Sequence, residues 1–337
     1  MDHPALVRTT ERLDAGLAGM ARAAELLRSG RLVAFGTETV YGLGANATDP
    51  SAVADVFRAK GRPACNPLIV HCADADAAFR ETDPPALARR LAAAFWPGPL
   101  TLVLPRHANS RVCAAAAAGL PTLAVRVPAQ PAARTLIENA GRPVVAPSAN
   151  RSGRVSPSEA AHVLAELDGR IDAVLDTGAC SVGVESTVVA VRGESLHLLR
   201  PGGITVEDLE AVAGLVAVPD VEHAPDRPTA PGQMASHYAP FLPLRLDAGT
   251  VRPDEGLLAF GTPLPGAGRV WNLSPTRDLR EAASRLFAGL RDLDDARHVA
   301  GLTGLAAMPI PAEGIGLAIR DRLRRAGAPR PRTECRA

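Results

Sequence analysis

Directly after a short apolar run at residues 32–35, the chain reads Gly36-Thr37-Glu38-Thr39-Val40-Tyr41-Gly42-Leu43-Gly44-Ala45. An apolar run of this length that stops at a glycine is typical of a buried strand followed by a loop. Gly42 and Gly44 would let the backbone approach a ligand closely, and the hydroxyls and carboxylate before them offer hydrogen bonds. The sequence therefore predicts a ligand-binding segment directly after the first strand.

Two common nucleotide-binding loops do not fit this segment. Residues 42–47 match the pattern G-x-G-x-x-A, but the glycines come several residues after the strand, and no acidic residue ends a second strand at the expected distance. The sequence G-K-[ST] is absent, since Lys60 precedes its glycine, and a conventional P-loop is therefore excluded.

Helical and strand-like segments alternate along the chain, which indicates an α/β fold. In the first 218 residues, helices are predicted at 12–29, 50–60, 84–95, 130–139, 157–167 and 206–212. Strands are predicted at 32–35, 100–104, 122–127, 144–145, 173–175, 187–191 and 196–199. Further along, strands at 257–260 and 270–273 and helices at 279–290 and 316–325 indicate a second, smaller α/β unit.

The composition predicts where these units meet. Residues 219–243 contain six prolines and little periodicity, which is typical of an extended linker. We therefore predict a large domain at 1–218, a linker or lid at 219–243 and a small C-terminal domain at 244–330. A length of 337 residues fits two domains.

Composition also limits the class of protein. A hydrophobic content of 47% with a net charge of +1 predicts a globular core and neither requires nor excludes an RNA partner. No signal-like or membrane-spanning apolar run is present, so we expect a cytoplasmic protein without membrane contact. Five scattered cysteines without a C-x-x-C pair favour neither disulfides nor a metal site.

One lysine stands out. Of the 37 basic residues, only Lys60 is not an arginine, and it lies between Arg58 and Arg62 at the end of a predicted helix. Cations at a helix end stabilise the helix dipole by at most about 1 kcal/mol, which would explain them without a ligand. Three cations within five residues also repel one another unless they share an anion, and we favour the hypothesis that they clamp a triphosphate.

Two more polar segments accompany predicted strand or helix ends. Ser156-Pro157-Ser158-Glu159 has the form of a capping box with proline at the first helical position, which would explain Ser156 structurally and would also create an anion-binding helix N-terminus. Arg200-Pro201-Gly202 follows a predicted strand and would place a cation near the edge of the sheet.

Taken together and in order, these segments resemble those of the YrdC-type L-threonylcarbamoyladenylate synthases, in their long, two-domain form. Any one match is weak, but the ordered set covers about two thirds of the chain and is specific. The matching segments are 37–44, 60–62 with 66–71, 96–101, 125–128, 147–150, 184–187, 199–202 and, in the linker, 230–234 with 237–240. The resemblance implies a twisted mixed sheet with flanking helices, followed by a small Rossmann-like α/β domain.

The resemblance also implies a reaction and a set of site residues. Threonine and bicarbonate would form a carbamate, which attacks the α-phosphate of ATP and releases pyrophosphate. Lys60 and Arg62 would be catalytic, and magnesium would travel with ATP. L-Threonine would be held by Thr39, His71, Thr122, Arg126 and Ser186. ATP would be held by Arg62, Asn66, Ala146, Ser148, Ser156, Arg200 and Tyr238, with Tyr238 as a lid. We expect Lys60, Arg62 and Arg200 to converge on one hollow beside Arg126.

Two other functions remain possible on the sequence alone. Related domains occur in carbamoyltransferases of hydrogenase maturation, although the acylphosphatase and zinc-finger segments of those proteins are absent here. A basic concave face could instead bind double-stranded RNA without chemistry, and its affinity would then depend steeply on salt. If the chain is instead a threonylcarbamoyladenylate synthase, as the resemblance implies, its partners would be the downstream tRNA threonylcarbamoyl-transfer enzymes, with tRNA contact as a second role.

Overall fold

The computed structural model describes residues 8–218 and 236–329. Its larger part is a mixed eleven-stranded sheet with the strand order β1-β8-β2-β3-β7-β4-β6-β5-β9-β10-β11. The strands are β1 (Glu11–Asp14), β2 (Val33–Gly36), β3 (Tyr41–Asn46), β4 (Ile69–His71), β5 (Leu100–Pro105), β6 (Thr122–Arg126), β7 (Val144–Val145), β8 (Ala173–Asp176), β9 (Thr187–Arg192), β10 (Ser195–Arg200) and β11 (Val216–Ala217).

Within the described residues, seven α-helices flank this sheet, and their apolar faces complete its core. They are α1 (Leu17–Arg28), α2 (Pro50–Lys60), α3 (Ala75–Arg80), α4 (Ala86–Phe95), α5 (Pro131–Ala140), α6 (Ala160–Leu167) and α7 (Val206–Ala213). The α2 boundaries follow directly from local chemistry. Asp49 accepts from the backbone of Ser51 and Ala52, Pro50 occupies the first turn, and Gly61 ends the helix with φ of 61°.

Two of the predicted helix starts are wrong. Residues 12–14 belong to β1, which pairs in parallel with β8, because their alternating burial fits a strand at the edge of the sheet. The chain then turns where the Asp14 carboxylate accepts from Gly16, and α1 begins at Leu17. The capping box at Ser156 does not form either: α6 begins at Ala160, because the Ser156 hydroxyl donates to the distant Glu185 carboxylate instead.

The smaller part is a parallel four-stranded sheet with the order β12-β15-β13-β14, covered by two helices. Its elements are β12 (Leu244–Arg245), β13 (Glu255–Ala259), β14 (Arg269–Asn272), α8 (Leu279–Asp295), β15 (Gly304–Ala307) and α9 (Gly316–Gly327). The sequence did not predict β15, and α8 extends beyond the predicted end at residue 290. An all-parallel sheet beside helices agrees with the predicted small α/β unit.

The two parts share a core. Val40, Val155 and Val184 of the larger part form one apolar cluster with Tyr238 and with α8 residues such as Phe287. The second part therefore packs directly on the loops that follow β2 and precede β9. Most of the predicted linker, residues 219–235, lies outside the described residues, and the domain boundaries stay predictions. Within the described ranges, no helix is long and apolar enough to cross a membrane.

Candidate active site

A cavity lies where the loops of the large sheet meet the segment that contains Tyr238. The mixed order of the strands brings the end of β6, the start of β9 and the end of β10 to the same edge. The lining residues are Thr37, Thr39, Val40, Gly42, Arg62, Pro67, Leu68, Ile69, His71, Arg126, Ala146, Pro147, Ser148, Glu185, Ser186, Arg200, His237 and Tyr238. Nine of the predicted site residues are in this set.

Arg126 is held in a fixed orientation at one end of the cavity. Its Nη2 donates to Glu38 Oε1 at 2.6 Å, and its Nη1 donates to Thr39 Oγ1 at 2.9 Å. The other Glu38 oxygen accepts from the backbone N–H of Ala129 at 3.0 Å. Because the pair is buried, the guanidinium is pre-organised, and its remaining donor capacity suits a carboxylate.

His71 ends β4 directly beside Arg126 on β6. The ring is buried, and no protein partner within the described chain reaches its Nδ1. Burial, together with the charge of Arg126, lowers the pKa of His71 to about 3. The imidazole is therefore neutral at physiological pH, and one of its ring nitrogens is available to a ligand.

Arg62 also lines the cavity and lies just past the end of α2. Its guanidinium donates to the backbone oxygens of Asn66, at 3.3 Å, and of Pro67, at 3.0 Å. Asn66 does not line the cavity; its side chain is buried, and its Oδ1 lacks a described protein partner. Withdrawal from water, with the nearby Arg200, lowers the pKa of Arg62 to about 10, which leaves the group charged.

Lys60 is placed differently from the prediction. Its buried ammonium does not line the cavity but donates to Ser148 O at 2.5 Å and to Asn150 O at 2.6 Å. Burial, reinforced by Arg62, places the Lys60 pKa well below its usual value. Lys60 thus holds the loop that carries Ser148. The predicted three-cation clamp does not form, because Arg58 points to solvent and pairs with Asp55.

Arg200 and Ser186 form the wall between β9 and β10. Arg200 Nη2 donates to Ser186 O at 2.9 Å and to Ser186 Oγ at 3.2 Å, and Thr101 shares a hydrogen bond with the same hydroxyl at 2.7 Å. Both Arg200 and Ser186 are buried. Of the four cations expected to converge on one hollow, Arg62, Arg126 and Arg200 line this cavity, and Lys60 does not.

Tyr238 closes the cavity from the side of the C-terminal part. It is fully buried in a left-handed conformation with φ of 61°, and its ring stacks on Phe287 with centroids 5.5 Å apart. No described protein group reaches its hydroxyl, or the Nδ1 of His237 beside it. A backbone bond from Ala239 N to Gly153 O, 2.9 Å long, anchors the segment to the large sheet domain.

Besides Lys60 and Asn66, two more predicted residues lie outside the cavity. Thr122 begins β6, four residues before Arg126, and a strand of that length separates the two by about 13 Å. It lines a separate cleft with Pro121 and Leu199. Ser156 is buried behind the wall, where its hydroxyl donates to Glu185 at 2.6 Å.

Three charged residues of this region were not assigned a role from the sequence. Glu38 orients Arg126, Glu185 lines the cavity, and Arg322 on α9 pairs with Glu185 at 2.8 Å. In the sequence, Glu38 precedes Thr39 and Glu185 precedes Ser186, and this adjacency to predicted site residues was an available signal. Nothing near Arg322 in the sequence marks it.

Sequence and structure comparisons place the chain among known proteins. The Sua5/YciO/YrdC family profile, described as "Telomere recombination", matches residues 25–202, and the profile "Threonylcarbamoyl-AMP synthase, C-terminal domain" matches residues 204–328. Among curated proteins, the chain is similar to the threonylcarbamoyl-AMP synthase of Bacillus subtilis, with 40% identity over 96% of this chain and 97% of that one. The Pyrococcus abyssi synthase is 41% identical over 90% and 92% of the two chains.

A solved structure agrees with these matches. The crystal structure of P. abyssi Sua5 complexed with L-threonine superposes with a TM-score of 0.86 and 38% identity, over 94% of this chain and 97% of that one. The chain therefore belongs to the Sua5/YrdC family, in the form that carries the additional C-terminal domain.

Proposed function

We propose that this protein makes L-threonylcarbamoyladenylate from L-threonine, bicarbonate and ATP, releasing pyrophosphate and water. The carrying observation is the convergence of Arg62, Arg126 and Arg200, from three separate segments, on one cavity. Three guanidinium groups suit an amino-acid carboxylate together with a triphosphate. The names of relatives that match nine tenths or more of the chain support the same reaction.

The amino acid occupies the end of the cavity near Arg126. Arg126 pairs with the threonine carboxylate, since Glu38 and Thr39 already fix the direction of its guanidinium. His71 and Ser186 bond the rest of the substrate: His71 is neutral and has an unpartnered ring nitrogen, and Ser186 is a hydroxyl residue that lines the same cavity. Thr122 has no part in this site, because it lines another cleft.

The nucleotide occupies the end near Arg62. Arg62 and Arg200 contact the phosphates, Ala146 and Ser148 contact the nucleoside through the loop after β7, and Tyr238 covers it as a lid. Three predicted residues do not line the cavity but hold groups that do. Asn66 supports Arg62, Ser156 supports Glu185, and Lys60 supports the Ser148 loop.

The chemistry needs positioning and charge stabilisation more than a covalent nucleophile. An oxygen of the threonine carbamate forms a bond to the α-phosphorus of ATP, the bond to the β-phosphate bridge breaks, and the electron pair leaves with pyrophosphate. Arg62 and Arg200 stabilise the negative charge that accumulates on the phosphate oxygens. The closed segment around Tyr238 excludes water from the labile product.

Magnesium belongs to this proposal as a companion of ATP. Over residues 8–218 and 236–329, no group of three or more His, Cys, Asp or Glu side chains is arranged to hold a metal ion. Mg²⁺ can be bound largely by water and by substrate phosphates, so the chain would need to supply few ligands of its own.

The product has to be consumed by another enzyme. An acyl adenylate is an activated acyl donor, so a tRNA threonylcarbamoyl-transfer enzyme is the expected recipient, in the cytoplasm. Contact with tRNA itself is a further part of the proposal. The alternatives of carbamoyl transfer and of RNA binding without chemistry have weaker support, because the relatives that span both domains are named synthases.

The test is an assay of pyrophosphate release from Mg-ATP. Release should require L-threonine and bicarbonate together, and mass spectrometry should find the threonylcarbamoyl adenylate. Pyrophosphate release that is independent of either substrate would reject the proposed function, and turnover of carbamoyl phosphate in the same assay would favour the transferase alternative.

A further inference from the structure

An ion pair connects the C-terminal domain to the cavity wall. Arg322, on α9, is fully buried, and its Nε donates to Glu185 Oε2 at 2.8 Å. Its Nη1 donates to the neighbouring Asp321 at 2.7 Å. No described protein atom accepts from its Nη2. A fully desolvated arginine that reaches a carboxylate 137 positions away links two domains at one point.

Glu185 connects Arg322 to the residues that line the cavity. Its other oxygen, Oε1, accepts from Ser156 Oγ at 2.6 Å, and the residue itself lines the cavity. The next residue, Ser186, is the partner of Arg200. The orientation of this segment of the wall therefore depends on a group that belongs to α9.

The charge of Glu185 makes the dependence strong. Burial alone would raise the pKa of this carboxyl, but Arg322, Arg200 and the Ser156 hydrogen bond outweigh burial and hold its pKa below the usual value. Glu185 is thus a buried anion that needs Arg322. Without that partner the carboxylate would be drawn towards Arg200, one of the three arginines that line the cavity.

Tyr238 lies within the same arrangement. The guanidinium carbon of Arg322 lies 5.3 Å from the centre of the Tyr238 ring, within cation–π range. One arginine of the C-terminal domain therefore contacts the lid residue and the carboxylate of the cavity wall.

Resting on the proposed function, we propose that Arg322 is a positioning residue for adenylate synthesis. When the C-terminal domain is docked, Arg322 positions Tyr238 and Glu185 for nucleotide binding, and through Ser186, next to Glu185, it positions Arg200. The C-terminal domain accordingly shapes the active site without lining the cavity. Arg322 does not line the cavity and acts through Glu185 and Tyr238.

The experiment compares Arg322→Met, Glu185→Gln and the double variant with Arg320→Met in the full-length protein. Arg320 is an exposed arginine on the same helix, two residues earlier, and serves as the matched control. The readouts are kcat and KM for both substrates, the Kd of a non-hydrolysable ATP analogue, and Tm. The analogue Kd reports on the wall even if the reaction assigned here is wrong, so the two proposals can fail separately.

We expect Arg322→Met to lower kcat/KM for ATP by about 30-fold and to weaken the analogue by about tenfold. The double variant should recover about fivefold, because it removes the uncompensated carboxylate. The proposal would be overturned if kcat/KM for ATP and the analogue Kd of Arg322→Met both lie within about threefold of those of Arg320→Met, whatever the Tm of Arg322→Met.

If Arg322→Met does not fold, Arg322→Lys and the double variant carry the test. Lysine keeps the charge but cannot bond Glu185 and Asp321 with one planar group, so kcat/KM should still fall about tenfold. Wild-type kinetics and analogue affinity in either folded variant would refute the positioning role.

Discussion

Replacing Lys60 tests how the cavity is held in shape. The side chain donates to the carbonyl oxygens of Ser148 and Asn150 from a fully enclosed position. Lys60→Met keeps the apolar stem and removes both hydrogen bonds. We expect turnover to be lost because the Ser148 loop moves, although Lys60 itself does not line the cavity.

The magnitude follows from opposing effects. Hydrogen bonds from a charged donor contribute about 1.5–3 kcal/mol each, so two bonds amount to about 3–6 kcal/mol. The substitution also removes a buried ammonium whose desolvation costs several kcal/mol, which offsets part of that loss. The free energy of unfolding should therefore fall by about 2–4 kcal/mol. A displacement of about 1 Å at Ser148 should lower kcat/KM for ATP about 100-fold.

The assay measures pyrophosphate release, the affinity of an ATP analogue, and hydrogen exchange of residues 148–154 in the same samples. A tether predicts that stability, analogue affinity and exchange protection of this loop decrease together. Loss of kcat alone, with unchanged stability and unchanged exchange, would refute the tether and return Lys60 to a direct role at the phosphate. Unchanged kinetics would refute both the tether and a direct role of Lys60 at the phosphate.

Three further results are expected. Because His71 stays neutral in the folded protein to about pH 3 while the unfolded imidazole protonates near its usual pKa, the unfolding free energy should fall by about 2 kcal/mol from about pH 7 to about pH 5. Denaturant titrations of His71→Gln should lack this decrease. If the unfolding free energies of the variant and the wild type depend on pH in the same way, the decrease does not come from His71. Glu38→Gln should raise the KM for threonine about tenfold, with the KM for ATP changed less than about threefold, because it loosens Arg126; equal increases in both would argue against this division of the cavity. Thr122→Ala should leave the threonine KM within about twofold, and a larger increase would return Thr122 to the site.

The features predicted best from the sequence are the helix ends and strands that nearby residues determine. Asp49, Pro50 and Gly61 mark the two ends of α2, and each acts on backbone groups within one turn. Single apolar runs gave most strands of the large sheet for the same reason. These signals do not depend on any distant residue, and a single sequence is enough to read them.

Glycines were harder to interpret. Gly42 and Gly44 were taken to face a ligand, but both lie in β3, and only Gly42 lines the cavity. A Cβ on Gly44 would lie 2.7 Å from the Phe35 ring and 2.9 Å from Val33 O, so Gly44 is required by strand packing. A glycine indicates a close approach, but the sequence does not tell whether protein or ligand approaches.

Long-range partners were beyond the sequence for a physical reason. Ser156 satisfies a capping-box pattern, yet its hydroxyl is used by Glu185, because a buried carboxylate gains more from a donor than an exposed helix end does. Arg322 has no local pattern at all. Its role depends on docking of two domains, which only the folded chain reveals.

A local run of basic residues predicted the lining of the cavity less well than basic residues at the ends of strands did. Arg58, Lys60 and Arg62 are close in the chain, yet their side chains go to solvent, to a loop and to the cavity respectively, since successive helical residues diverge by about 100° and Gly61 then turns the backbone. Arg126 and Arg200 are 74 residues apart but both end strands at the same edge of the sheet, and both line the cavity. Strand ends converge because the ladder holds them in register, whereas neighbours on a helix separate. For a mixed α/β sheet, cations at predicted strand ends therefore indicate an anion site better than a local run of cations does.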